Sequence, residues 1–186
     1  MSELTKSEQH PFKSFIPNGA KILILGSFPG MDMNPETDWF YSAKGNLFWP
    51  IISEIYNIEL VSREQKMSLF ENKKIAITDI FSEVKRKEPS NRDAVLYDQV
   101  YNEKAINEIL SMNSIESVLF TSKYVQNHFN KKFTTGIKTK SLPSPSNAAN
   151  RYIVTTDDFK NYLAKNPNST ISNYRVSEFR KLLNDI

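Results

Sequence analysis

Cysteine is missing from all 186 residues, and its absence excludes disulfides, thiolate zinc sites and a cysteine nucleophile. Histidine is nearly missing: only His10 and His128 occur, far apart in the chain. A histidine-rich metal site or a Ser-His-Asp triad would have to use one of them, and neither sits in a recognisable motif. His128 reads as a partly exposed helix residue without a task. No apolar run approaches the ~18 residues of a membrane span, so no membrane contact is expected. The opening MSELTKSEQHPF is polar and lacks the apolar stretch of a signal peptide, which points to a cytoplasmic protein. Net charge is only +3, enough to permit a nucleic-acid partner without demanding one. Nothing repeats, and no low-complexity tract or linker interrupts the chain, so residues 1–186 read as one domain.

What is present reads as alternating strands and helices. An apolar fraction of 39% with 12% aromatic residues argues for a packed core. After a lead-in over 1–20, with Phe12, Phe15 and Ile16 available to cap the core, strands are expected at 21–26, 73–78, 117–121 and 137–142. Helices are expected near 46–56, 62–71, 98–111, 122–131 and 171–185. Residues 82–93 are charged and turn-rich and read as a surface loop, with Lys85, Arg86 and Lys87 on a solvated face. Strands separated by helices imply a three-layer α/β/α sandwich around a central, mostly parallel four-stranded sheet.

The stretch Lys21–Pro50 organises the rest. Ile22-Leu23-Ile24-Leu25 is an unbroken apolar run, as a strand covered on both faces requires. It ends at Gly26-Ser27-Phe28-Pro29-Gly30, where two glycines permit unusual dihedrals and Pro29 stops the ladder. In an open α/β sheet, ligands bind at such strand ends. Phe40, Tyr41 and Asn46-Leu47-Phe48-Trp49-Pro50 follow, so aromatic faces and a side-chain amide gather near one strand end, suited to gripping a flat heterocycle. The last strand runs into Pro143-Ser144-Pro145-Ser146-Asn147-Ala148-Ala149-Asn150-Arg151, a loop expected at the same sheet edge, flanked by the basic residues Lys138, Lys140 and Arg151.

Together these stretches resemble the uracil-DNA glycosylase superfamily, most closely its hypoxanthine-DNA glycosylase branch, which is related to the mismatch-specific uracil-DNA glycosylases. Ile22 to Gly30 is similar to that branch's LILGSFPG. Phe40 to Pro50 is similar to YYAHPRNAFWP at equal spacing, Leu142 to Asn147 to LPSTSPAN, and Asp79-Ile80 to a D-V/I pair after the second strand. The resemblance spans about residues 20–155. It implies a uracil-DNA glycosylase-like fold and a catalytic amide at Asn46. It implies a base pocket from Gly26, Ser27 and Phe28, with Tyr41 stacking on the extruded base. Ser144 falls where a serine meets a DNA phosphate, and Ser146 and Asn147 where residues enter the vacated space. Phe28 stands where other branches place a catalytic Asn or Asp, and Leu142 where classical members carry a histidine. Ala43-Lys44-Gly45 departs from a His-Pro-Arg-like triplet.

What the resemblance implies is a monofunctional glycosylase for a deaminated base, hypoxanthine or uracil, swung out of DNA. A side-chain amide does not titrate at neutral pH, so Asn46 would orient water and bond the base rather than abstract a proton. No metal or organic cofactor is implied, and nothing points to a Schiff-base lysine, so the product is an abasic site without strand cleavage. A monomer is expected. Each residue also has a plainer reading: Asn46 as a helix N-cap, Phe28 and Tyr41 as packing residues, Asp79, Ser144 and Ser146 as turn residues. The departure at 43–45 keeps open a binding module of the same fold without catalysis. An unrelated small-molecule enzyme using the same crevice is the third alternative.

Overall fold

The computed structural model describes residues 6–184, so the first five residues of the lead-in and residue 185 of the expected last helix lie outside it. In chain order the elements are β1 (Glu8–Gln9), β2 (Ile22–Gly26), α1 (Phe48–Tyr56), α2 (Arg63–Asn72), β3 (Ile75–Asp79), β4 (Phe81–Arg86) and β5 (Leu96–Tyr101). They continue with α3 (Glu103–Leu110), β6 (Ser117–Phe120), α4 (Lys123–Lys132), β7 (Lys138–Ser141), α5 (Asn150–Ile153), α6 (Asp157–Lys165) and α7 (Ile171–Asn184).

The four-stranded sheet has the order β3-β2-β6-β7, and every pairing in it is parallel. All residues of β2, β3 and β6 are buried, which is why their sequences are dominated by apolar residues, with Thr78, Asp79 and Ser117 as buried polar exceptions at strand ends. The period of two sends Ile22, Ile24, Ile77 and Leu119 to one face, against Phe48 and Trp49 of α1, Phe70 of α2 and Phe179 of α7. Leu23, Leu25, Val118 and Phe120 go to the other, against Ile106 and Ile109 of α3 and Val125 and Phe129 of α4. Each fully buried side chain of this kind contributes about 1.5–3 kcal/mol. The edge strand β7 carries exposed Lys138 and Lys140, charges that discourage pairing with another chain.

Two expectations are corrected. Of the surface loop expected over 82–93, only 87–92 is an exposed turn; residues 82–86 belong to β4, which with β1 and β5 forms a second, antiparallel sheet of order β1-β4-β5. Residues 98–101 belong to β5, so the helix expected over 98–111 starts only at Glu103, and Val100 is exposed. Register shifts between Phe81 and Lys85 break the alternation that would betray β4 in the sequence. Arg86 likewise leaves the solvated face and is buried. Its guanidinium donates to the carbonyls of Pro29 (2.6 Å) and Ser90 (2.9 Å) and to the Glu8 carboxylate (3.0 Å), so the charge is fully partnered. His128 packs edge-on against Phe81, and its Nδ1 lies 2.8 Å from the Tyr101 hydroxyl.

Helix starts follow their chemistry. Ser62 and Gln65 form a capping box on α2, and Ser122 caps α4 as expected by accepting from Val125 N–H. No helix among the described residues is long and apolar enough to cross a membrane.

Candidate functional site

The carboxyl ends of β2, β3 and β6 open into a cleft of about 340 Å³, within the range of small-ligand sites. Its base is built by close approach. A side chain on Gly26 would meet the Tyr41 hydroxyl and the Asp79 carboxylate at 2.2 Å each, and one on Gly30 would meet Ala43 at 2.5 Å. Neither glycine has positive φ, so both are required by crowding rather than by the unusual dihedrals expected of them. The left-handed backbone belongs instead to Tyr41, at φ 61°, a strained setting for an aromatic residue. Three contacts hold it there: its ring stacks on Phe48 at 4.3 Å, its hydroxyl donates to Thr121 Oγ1 at 3.2 Å, and the Trp49 indole N–H donates to the neighbouring Phe40 carbonyl at 2.6 Å. Burial, and after it the Asp79 charge, pushes the Tyr41 phenol well above its ordinary value, so it stays a neutral donor.

Asn46 lies one residue before the N-cap, which is Leu47 and not Asn46 itself. Its Oδ1 accepts from Phe48 N–H at 3.0 Å, fixing the amide, and its NH₂ has no protein partner among the described residues. Opposite it stands the loop after β7, joined to the first loop by backbone pairing. Asn46 and Ser146 form an antiparallel bridge, Leu47 N–H donates to the Pro145 carbonyl (2.9 Å), and Asn147 N–H to the Gly45 carbonyl (3.2 Å). Arg175 of α7, 1% exposed, donates to the Ser144 and Ser146 carbonyls at 2.8 Å each. The Ser146 hydroxyl caps the short turn Asn147–Ala149.

Of the residues singled out in the sequence, Ser27, Phe28, Tyr41, Asn46, Ser144, Ser146 and Arg151 line this one cleft. Gly26 sits beneath it, and Asn147 lies behind the rim, next to Gly45. Lys44, Arg92 and Arg151 are exposed at the rim, where Arg151 stacks on the exposed Tyr152 ring at 4.7 Å.

Other cleft residues escaped the sequence reading. Asp79, passed over as a turn residue, is 4% exposed at the floor, and its Oδ2 lies 2.9 Å from His10 Nε2. Asp93 accepts from the Ser27 hydroxyl at 2.6 Å. Burial raises its carboxyl above the ordinary range despite that bond, and the neighbouring Asp79 charge adds to the rise. Arg175 carried a readable signal: it stands four residues before Phe179, on the buried stripe of α7, where an unpartnered cation is not tolerated. Among the described residues no three His, Asp or Glu side chains cluster as a metal site.

The family model of the uracil DNA glycosylase superfamily matches residues 12–166, most of the chain. Among solved structures, the chain is similar to the solution NMR structure of a Methanosarcina acetivorans protein whose uracil DNA glycosylase assignment is itself provisional. The TM-score is 0.60 at 19% identity, covering 86% of this chain and 96% of that one, a likeness of fold. No curated protein matches the chain.

Proposed function

The chain belongs to the uracil DNA glycosylase superfamily, and from that premise we propose that it is a monofunctional DNA glycosylase hydrolysing the N-glycosidic bond of a deaminated base, hypoxanthine or uracil, extruded from DNA. The observation that carries this reading is the joining of two distant loops, 26–46 and 142–151, around one cleft that holds a fixed amide, aromatic rings and backbone donors. The motif resemblance favours the hypoxanthine-DNA glycosylase branch within the superfamily.

Bond cleavage of this kind builds positive charge on the sugar and negative charge on the departing base. Stacking on Phe28 or Tyr41 is worth roughly 1–3 kcal/mol and offsets much of the cost of unstacking. With its Oδ1 pinned by Phe48 N–H, Asn46 presents its NH₂ to a base carbonyl oxygen, and the second lone pair of Oδ1 orients water towards the sugar. Backbone N–H groups of the 26–30 turn stabilise charge collecting on the base. Ser144, Ser146, Asn147 and Arg151 receive the DNA strand, and Lys44 and Arg92 add to the field that attracts it. The loss of the His-Pro-Arg-like triplet at Ala43-Lys44-Gly45 supports a second reading, a module of the same fold that binds DNA without cleaving.

The test is incubation with labelled duplexes containing uracil, hypoxanthine or xanthine, followed by alkali. Alkali-labile scission that disappears in Asn46→Ala is the expected result. Binding without scission supports the second reading, and absence of both below about 100 mM salt, where phosphate contacts are strongest, removes both.

A further inference from the structure

Tyr152 is an aromatic side chain standing in the open at the mouth of the cleft. It lines that cleft and is 61% exposed. A lone exposed tyrosine is ordinary, but this one is held in place. The next residue, Ile153, is buried in one cluster with Phe159 of α6 and Tyr174 of α7, which anchors the short helix α5 from beneath. The backbone is tied as well. The Thr155 hydroxyl donates to the Tyr152 carbonyl at 2.7 Å, and the Thr156 hydroxyl to the Ile153 carbonyl at 2.8 Å.

The ring itself is half used. The Arg151 guanidinium lies over it, 4.7 Å from the centroid, and Nη2 donates to its hydroxyl at 2.8 Å. One face is thus covered by a cation while the ring as a whole stays open to solvent. A side chain that wedges between two stacked bases needs both faces bare, whereas one bare face stacks a single base.

The rest of its loop supplies no wedge. Ser144, Ser146, Ala148 and Ala149 line the cleft from that loop, and none is larger than serine. Met33, the lining methionine across the cleft, packs on the core instead. In a duplex, extruding a nucleotide leaves a gap in the stack, and an unfilled gap lets the nucleotide fall back. A single strand has no such gap. It offers unpaired bases, each with a π-face, and phosphates between them.

We propose that Tyr152, backed by Arg151, is a second nucleobase subsite, which stacks the unpaired base next to the extruded nucleotide and directs the cleft to single-stranded DNA. This deepens the glycosylase reading and rests on it for the nucleotide in the cleft. The guanidinium keeps its charge for the adjoining phosphate, so ring and cation together match one nucleotide. Stacking reads no hydrogen-bonding edge, so the subsite takes any base.

The first measurement is fluorescence anisotropy of the full chain with a labelled, lesion-free single strand and with the same strand annealed, so no cleavage is needed. Wild type should bind the single strand more tightly. Tyr152→Ala should weaken that binding by about 5- to 150-fold, the scale of one lost base–aromatic stack, and duplex binding by less than about twofold. Tyr152→Phe keeps the flat face and should stay within about threefold of wild type, whereas Tyr152→Leu, apolar but not flat, should resemble Tyr152→Ala. The side chain is exposed, so these variants keep the fold. Tighter binding of duplex, equal losses on both forms, or a leucine variant as good as phenylalanine overturns the subsite.

The second measurement is single-turnover cleavage, at subsaturating protein, of the same sequence carrying uracil or hypoxanthine, single-stranded and annealed. Wild type should cut the single strand faster, and Tyr152→Ala should erase most of that advantage. A duplex cut as fast as the single strand overturns the strand preference and leaves the glycosylase reading intact. A chain that cuts neither defeats hydrolysis, and the binding measurement then decides the subsite alone.

Discussion

The floor and the rim of the cleft are built on opposite terms. The floor is crowded and largely buried: Gly26 is hemmed in by Tyr41 and Asp79, and the carboxylates of Asp79 and Asp93 are held by His10 and Ser27. The rim is wet and cationic, with Lys44, Arg92 and Arg151 exposed. Charge in a low-dielectric floor acts strongly and only at contact, whereas charge on a wet rim acts weakly, at longer range and subject to salt. On the glycosylase reading proposed above, choice of base would fall to the floor and capture of the polyanion to the rim.

That division is sharpest if floor changes abolish turnover and rim changes merely weaken binding. The largest effect is expected from Asn46→Ala, which should lower single-turnover cleavage by about 10²–10³-fold, the scale of one lost electrostatic contact to a transition state. Its melting temperature should fall only slightly, because the loss is one cap-like bond of about 1 kcal/mol. A single-turnover rate within about threefold of wild type would remove the amide from the chemistry.

Next comes Arg175→Met, which reaches both regions through the loop at 142–151. It leaves the Ser144 and Ser146 carbonyls without their donor, at about 1–3 kcal/mol each where water does not replace it. Calorimetry should show a lowered melting temperature, and cleavage should fall on every substrate alike. Smaller again, Arg151→Ala and Lys44→Ala should weaken DNA binding a few-fold, and each should make the plot of log affinity against log salt shallower by about one. An unchanged slope would take that cation off the path of the DNA.

The smallest effect concerns stability. Because the Asp93 carboxyl is raised in the folded state, the folded chain holds that proton more tightly than the unfolded one does. The associated stability is present below the ordinary carboxylate range and is lost as pH rises through the folded-state value. Asp93→Asn should therefore melt higher than wild type at neutral pH, with the two curves converging as pH falls towards about 3. A constant gap across pH would show that the carboxyl is not strained by burial.

The same contrast governs what the sequence could disclose. β2, β3 and β6 were legible because strands buried on both faces are mostly apolar, with polar residues confined to their ends. The two loops were legible because their glycines, prolines and amide stand in recognisable order. β4 was not, since its bulges scramble the alternation and its charges resemble a loop. The burial of Arg86 depends on Pro29, Ser90 and Glu8, partners that only the fold brings together. The His10–Asp79 pair was hidden for the same reason, as a two-residue strand spanning a separation of 69 positions leaves no periodic trace.

One contact also fixes the order of assembly. Protein chains are made from the amino end, and early segments begin to fold while later ones are still being synthesised. All four strands of the parallel sheet precede Arg175, yet the loop at 142–151 is clamped only once that guanidinium arrives. A growing polypeptide thus owns its scaffold before its jaw, which closes only when α7 brings its guanidinium to the loop.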